Sequence, residues 1–414
     1  MRLDHAGAPR VPSPARDCLG NTMPRPPLYP FARPAGRELP TELQQLAGRA
    51  PTRVELHDGT LAFLVTSDQG ARDVLCNRAF SADATRPGYP VMSPGRAALT
   101  SRPTFLRQDA PEHDTLRRMV LPYFTARHIR ALEPRLAATA RKLTDAIAGA
   151  GSPADFVAGF AVPFPGRTIE TLLGLRSDER IRSLTAALNT HAVDGPAKEQ
   201  AATDLLAHLD DVVTEQSHNP RPGIIGDLVR NHLLTGKVTA QQIADTIRLL
   251  LTAGQETSAG MLALTLLDLA EDPRWRDQLT GPQPVAEAAI EELLRWHCVV
   301  HTGITRVAVE NTAVQGVAIP AGTGVIISVL AANHDPTRYA KPDQMQPGRD
   351  NGASHLAFGR GIHQCLGQSL ARAQLRIGLA AVADRFPGLH LIDKPLRFTP
   401  QNGIFSLETL PLAW

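Results

Sequence analysis

One cysteine, Cys365, stands in a loop punctuated by Gly359, Gly361 and Gly367. Glycine permits backbone conformations and close approaches that a Cβ would block. Past the cysteine, Leu366, Leu370, Ala373 and Ile377 recur at helical spacing, so a helix begins there. Cys365 is thus placed just before a helix N-terminus, where free N–H groups and the helix dipole favour a thiolate over a thiol. A thiolate in an apolar loop would ligate one soft metal centre and leave its opposite face open. The plainer alternative is a buried structural cysteine, since free cysteine is among the most buried residue types.

Two more groups of residues could do chemistry. Ala253, Gly254, Gln255, Glu256 and Thr257 follow one another inside an otherwise apolar run. Glycine costs a helix about 1 kcal/mol relative to alanine, and a Glu-Thr pair in an apolar helix costs more unless it is satisfied. A threonine hydroxyl bonded back to the carbonyl four residues earlier would bend the helix and open a pocket. The second group is His113 and Arg117, four apart and so on one helix face. Two cations on one face repel each other, an arrangement that makes sense if both meet an anion. A polar break in a core and a solvated basic face are the structural alternatives.

These groups need elements to position them. Thr239, with Gln242 three residues on, has the capping-box pattern. It opens a helix that can run to Asp272, where Pro273 stops it. At ~1.5 Å per residue such a helix spans about 48 Å and must pass through the core. Residues 284–296 form another helix, with Glu291, Glu292 and Arg295 at ion-pair spacing; taken alone, such a surface pair is worth ~0.3–0.5 kcal/mol. Residues 52–66 alternate around Asp58 and Gly59, a β-hairpin signal, and helical periodicity takes over at 67–76. Residues 124–234 read as helical, with breaks at 151–153, 163–166 and 219–223. Residues 191–200 form a polar break between two helices. Residues 83–108 are a Pro- and Gly-rich loop, of the kind that is usually functional or disordered. Residues 319–324 read as a turn, 325–330 as a buried strand, and 396–405, with Asn402 and Gly403, as a hairpin. The first twenty or so residues, rich in Pro, Arg and Gly, are expected to be disordered.

The 414 residues carry 43 basic and 41 acidic side chains, a net charge of +2. That balance gives no reason to expect nucleic acid or a bulk acidic partner. Cys18, Cys76, Cys298 and Cys365 show no pairing pattern, which fits a reducing cytosol. No apolar run approaches the ~18–20 residues of a membrane span, and the start lacks the apolar stretch of a signal peptide. The expectation is a soluble, cytoplasmic protein.

The loop Phe358-Gly-x-Gly-x-His363-x-Cys365-x-Gly367 resembles the haem-binding signature of the cytochrome P-450 family in its soluble bacterial form. Cysteine thiolate is that family's haem ligand. The resemblance covers roughly residues 30–414 and meets three motifs in order, at Thr257, Glu292 and Cys365. It implies a mainly α fold with small β-sheets and a long central helix over haem b (iron protoporphyrin IX). Residues 23–414 would form a single haem-thiolate domain, and residues 1–22 an extension. Cys365 would be the iron ligand, with Phe358, Gly359, His363 and Gly367 shaping the haem loop. His113, Arg117 and Arg306 would meet the haem propionates. Ala253 and Gly254 would make room for dioxygen, while Thr257 holds a water and Glu256 feeds protons from solvent. Glu292 and Arg295 would form a buried triad with Arg349. Here the chain departs from the family's pattern: Met345 stands where an aromatic is common, and the spacing from Arg349 to His355 is one residue long. Tyr89, Val91, Met92, Leu250, Val300, Ile304 and Phe405 are the substrate contacts suggested by the resemblance, and residues 191–200 a lid.

The activity implied is that of a monooxygenase. It would use dioxygen and electrons from a ferredoxin and ferredoxin reductase to hydroxylate or otherwise oxidise a small, mostly hydrophobic molecule, in natural-product biosynthesis. No flavin or Fe–S motif of its own is evident. Arg118, Arg360 and Arg372 are candidates for docking an acidic ferredoxin, and a monomer is expected. One alternative uses the same haem chemistry for oxidative cyclisation or C–N or C–C coupling. A thiolate-haem sensor is another, against which Glu256 and Thr257 argue, because a sensor needs no proton relay. Peroxide-driven relatives usually lack that pair.

Overall fold

The computed structural model describes residues 25–33, 37–92, 104–175, 179–189, 195–393, 395–399 and 403–414. The expected extension over residues 1–22 lies outside them. Helices dominate: α1 Thr41–Leu46, α2 Asp68–Cys76, α3 Glu112–Val120, α4 Ala126–Ala150, α5 Pro163–Leu173, α6 Glu179–Asn189, α7 Gly195–His218, α8 Ile224–Leu228, α9 Ala240–Glu271, α10 Arg274–Thr280, α11 Gln283–His297, α12 Val329–Ala332 and α13 Gln368–Arg385. Short strands lie between them: β1 Thr52–Glu55, β2 Leu61–Val65, β3 Phe80–Ser81, β4 Ala154–Asp155, β5 Ile304–Ala308, β6 Thr312–Val314, β7 Val317–Ile319, β8 Gly324–Ile327, β9 His390–Leu391 and β10 Pro411–Ala413.

Helix α9 is the axis of the larger core. Its first turn is closed reciprocally, with Thr239 Oγ1 accepting from Gln242 N at 3.1 Å and Gln242 Oε1 accepting from Thr239 N at 2.9 Å. From Ser258 to Leu269 its side chains are buried on every face. A helix apolar all round can only be a core helix. It packs against α5, α7 and α13, and α13 packs in turn on α4. The expected break at residues 163–166 is instead the first turn of α5. Pro163 takes the first helical position, where its missing N–H costs nothing. Phe164 is fully buried and stacks on Phe160 at 5.3 Å.

A five-stranded sheet, in the order β1-β2-β8-β5-β3, backs a second core. The hairpin over 52–66 is present, with Asp58 Oδ1 accepting from Thr60 N at 3.0 Å and Gly59 at φ +82°. β8 adds parallel to β2 and antiparallel to β5. The strand expected over 325–330 stops at Ile327, because the Ser328 hydroxyl caps a helical turn by accepting from Ala331 N. Asp335 Oδ2 accepts from the first N–H of α2, at Asp68, and ties this core to the approach of the cysteine loop.

Three expected loop features fall partly outside the described residues. In the proline-rich loop, residues 93–103 are not described, and Phe105–Arg107 form a 3-10 turn. Residues 190–194 are not described, and α7 already begins at Gly195, so the second half of the expected polar break is helical. In the tail, Phe398 pairs with Leu407 as the hairpin pattern suggests, while Asn402 lies outside the described residues.

Candidate active site

The cysteine loop is closed by its own backbone. Cys365 N donates to Phe358 O at 2.8 Å. Two glycines take left-handed conformations here. Gly361 sits at φ +76°, and a Cβ on it would lie 2.3 Å from Leu75 O near the end of α2. Gly359 sits at φ +64°, against Ile304 Cδ1 of β5. Gly367 is the N-cap of α13, and its N–H reaches the Cys365 sulfur. The thiol is solvent-accessible yet walled by protein. Burial pushes its pKa up, and the Gly367 N–H, Arg117 and Arg372 only partly oppose that. Desolvation thus opposes the helix N-terminus at this sulfur, and a bound metal cation would favour the thiolate.

Beside this loop four basic side chains converge from three elements. His113 of α3 is 1% exposed, with Nδ1 2.8 Å from Asp114 Oδ1. Its Nε2 is buried and has no hydrogen-bond partner among the described residues. The His113 ring lies 4.2 Å from that of His363, whose Nε2 is likewise buried without a partner. Burial, then Arg306, His113 and Arg117, pulls the His363 pKa down to about 3. Arg306 of β5 is buried, which lowers its own pKa. Arg117 donates to Gln364 O in the loop. Asp114 near Arg117 and Asp109 near Arg306 offset part of this charge. Two orphaned imidazole nitrogens and two guanidinium groups fit an anionic group with two acidic arms, as on a haem.

At the middle of α9, Thr257 Oγ1 donates to Ala253 O at 2.7 Å, and the helix runs unbroken through that bond. Ala253 is exposed although Leu251 before it and Ser258 after it are buried. Accessible surface thus reaches the centre of the core at Ala253. Gly254 is half-buried on α9, and a Cβ on it would make ordinary van der Waals contact with Ile169 Cδ1 of α5 at 3.4 Å. Glu256 is half-buried.

The buried triad is present. Arg295 donates to both Glu292 oxygens, at 2.8 and 2.9 Å, and Arg349 Nε donates to Glu292 Oε1 at 2.9 Å. Burial would raise the Glu292 pKa, but Arg295 and Arg349 outweigh it and the pKa falls. Arg295 also donates to Asn333 O, and the Asn333 side chain accepts from Leu356 N at 2.7 Å, so the triad anchors the start of the cysteine loop. Between Arg349 and His355 the chain makes the 3-10 turn Gly352–Ser354.

The expected substrate contacts divide. Val300 bridges to Ile404, and Ile304 packs at Gly359. Val91 is half-buried. Leu250 is buried on α9 three residues before Ala253. Tyr89 instead sits at the basic cluster, its hydroxyl 2.7 Å from Thr305 Oγ1 and within electrostatic reach of Arg306. Met92 packs into the core behind the sheet. Phe405 is fully buried, stacked on Phe398 at 5.3 Å, with Arg33 3.7 Å over its ring. Its half-buried neighbour Ile404 faces Gly260 of α9. Strand alternation, once the 299–301 and 403–405 pairing is known, puts Ile404 and Phe405 on opposite faces.

Glu291 was read as a partner of Arg295. It pairs with Arg372 of α13, at 2.6 and 2.9 Å, and lies 3.2 Å from His355 Nε2. Arg372 is therefore engaged within the chain rather than offered to a ferredoxin. Nothing in the sequence signals a pair 81 residues apart. A surface groove of about 620 Å³ between α4, α11 and α13 is lined by Arg141, Arg376 and Asp384 among others, and shares no residue with this site. Among the described residues no cluster of three or more His, Cys, Asp or Glu could hold an ion by itself, and no helix is long and apolar enough to cross a membrane.

The sequence profile described as Cytochrome P450 matches residues 283–411. Cytochrome P450-SU2 of Streptomyces griseolus is 37% identical over 373 residues, covering 88% of this chain and 90% of its own. Vitamin D3 dihydroxylase of Streptomyces griseolus is 34% identical over 394 residues, covering 94% and 97%. The crystal structure of GfsF superposes with a TM-score of 0.88 at 32% identity, covering 94% of this chain and all of that one. The chain belongs to the cytochrome P450 family. It is an oxygenase, and its family implies a haem-iron cofactor, dioxygen, a substrate and redox partners.

Proposed function

We propose that this chain is a haem b monooxygenase that takes electrons from a ferredoxin and ferredoxin reductase and hydroxylates a small, mostly hydrophobic molecule in natural-product biosynthesis. The observation that carries this reading is the convergence of His113, Arg117, Arg306 and His363 beside Cys365, with two buried imidazole nitrogens unpartnered. Haem held there would bring dioxygen activation, which a thiolate ligand favours by pushing electron density toward the O–O bond. Cys365 is assigned as the ligand. His113, Arg117, Arg306 and His363 hold the acidic arms, and Phe358, Gly359 and Gly367 shape the loop. Ala253 lies where α9 offers accessible surface. The Thr257 hydroxyl, fixed on the Ala253 carbonyl, holds a water through its lone pairs, and Glu256 passes protons to that water from solvent. Val300, Ile304, Leu250 and Ile404 form the apolar wall for substrate.

The Vitamin D3 dihydroxylase relative supports hydroxylation by its name. Arg118 and Arg360 remain candidates for docking an acidic ferredoxin, beside the exposed Ile362. A single catalytic domain over residues 23–414, a monomeric state and a cytoplasmic location belong to the same proposal. Turnover with a generic ferredoxin and reductase under ¹⁸O₂ tests it. One labelled oxygen atom in the product of an apolar substrate is expected. Products that are dehydrogenated, cyclised or coupled without label would show that the oxidant is used for bond formation within the substrate instead.

A further inference from the structure

Behind the cysteine loop lies an ion pair that the reaction scheme does not use. Arg372, one turn into α13, forms a two-pronged bond to Glu291 of α11, at 2.6 Å from Nε and 2.9 Å from Nη2. Its guanidinium carbon stands 4.5 Å over the Phe358 ring. Phe358 is the residue whose carbonyl accepts the Cys365 N–H. His355, at the start of the loop, accepts from Ala357 N on Nδ1 and presents Nε2 to Glu291 Oε2 at 3.2 Å, close but poorly aligned for a hydrogen bond. Its ring is 5.9 Å from that of Phe358. Two helices and the start of the loop thus meet at one half-buried charge pair. Burial would raise the Glu291 pKa, but Arg372 and His355 hold it at about 2, so the carboxylate is charged at neutral pH.

We infer that Arg372 is a positioning and electrostatic residue for the Cys365 ligand: it presses the Phe358 ring against the loop and sets, against Glu291, the net positive charge felt at the thiolate. The inference rests on Cys365 being the haem ligand. Charges within a few ångströms of a ligating sulfur act through a low-dielectric interior and shift a metal's potential. The Arg372 guanidinium lies over the Phe358 ring of the loop and acts on the Cys365 charge, whereas Glu291 is not among the groups that do, so the cation is the stronger influence. A cation there stabilises the ferrous state, which carries one more negative charge than the ferric state, and so raises the one-electron potential. A carboxylate that neutralises the cation lowers it.

The test is a spectroelectrochemical titration of the ferric/ferrous couple in the haem-loaded wild type, Arg372→Met, Arg372→Lys and Glu291→Gln. The expected result is opposite signs. The potential falls in Arg372→Met, rises in Glu291→Gln and stays near wild type in Arg372→Lys, which keeps the charge. A purely structural pair would loosen the loop in all three variants and shift them the same way, which would overturn the inference, as would unchanged potentials. If Arg372→Met fails to retain haem, Glu291→Gln decides alone, because it keeps the shape and an acceptor oxygen: an unchanged or lowered potential overturns the inference. If neither variant loads haem, the pair is structural and the inference fails. Failure of the ligand assignment itself reads differently, as the absence of a thiolate-type carbon monoxide band in the wild type.

Discussion

Thr257 donates its hydroxyl proton to Ala253 O at 2.7 Å, which leaves its lone pairs as acceptors facing the accessible middle of α9. Thr257→Ala removes those acceptors and leaves Cys365 and the basic cluster untouched. The expected result is normal haem content with several-fold fewer electrons reaching product and the remainder appearing as hydrogen peroxide. Measuring product and peroxide against electrons consumed checks this, and unchanged coupling would remove Thr257 from the relay. At this scale the sequence was informative where chemistry forces a residue type. Cys365, Thr257 and His113 could be named because a thiol in a glycine loop, a hydroxyl in an apolar helix and a paired cation each have few structural uses. The thiol's pKa could not be read, because burial opposes the helix terminus and burial is a property of the fold.

The long helix was legible from its capping box and its apolar length, and the hairpin from Asp58 and Gly59. Contacts between elements were legible only where spacing is local. Glu292 and Arg295 lie three apart on α11 and could be paired from sequence. Glu291 and Arg372, 81 residues apart, could not. Met92 and Phe405 were misread because a loop or tail has no fixed face until its strand partner is known. The Glu292 triad supports a prediction at this scale. Glu292→Ala leaves the guanidinium groups of Arg295, fully buried, and Arg349 without their acid. Breaking a buried pair from one side costs about 3–5 kcal/mol. Thermal unfolding should fall by roughly 3–6 °C, with loss of haem, since the triad anchors the loop through Asn333. An unfolding temperature within a degree of wild type would contradict that role.

Across the whole molecule, the cysteine loop touches both cores: Leu356 belongs to the sheet-backed core, and Phe358 and Leu366 pack against the helical core on α9. The cysteine loop is held there from both sides: α2 through Gly361, β5 through Gly359, and α11 through Asn333 and the Glu291–Arg372 pair. Rigid support from several elements is what a ligand needs to keep its geometry. The central claim is that this support exists to present one thiolate to haem iron. The carbon monoxide difference spectrum of the reduced protein tests it most directly, wild type beside Cys365→Ser. A strongly red-shifted Soret band in the wild type, lost in the variant, is the predicted result. No haem band, or a band that survives the substitution unchanged, would contradict the assignment of Cys365 and the oxygen chemistry built on it.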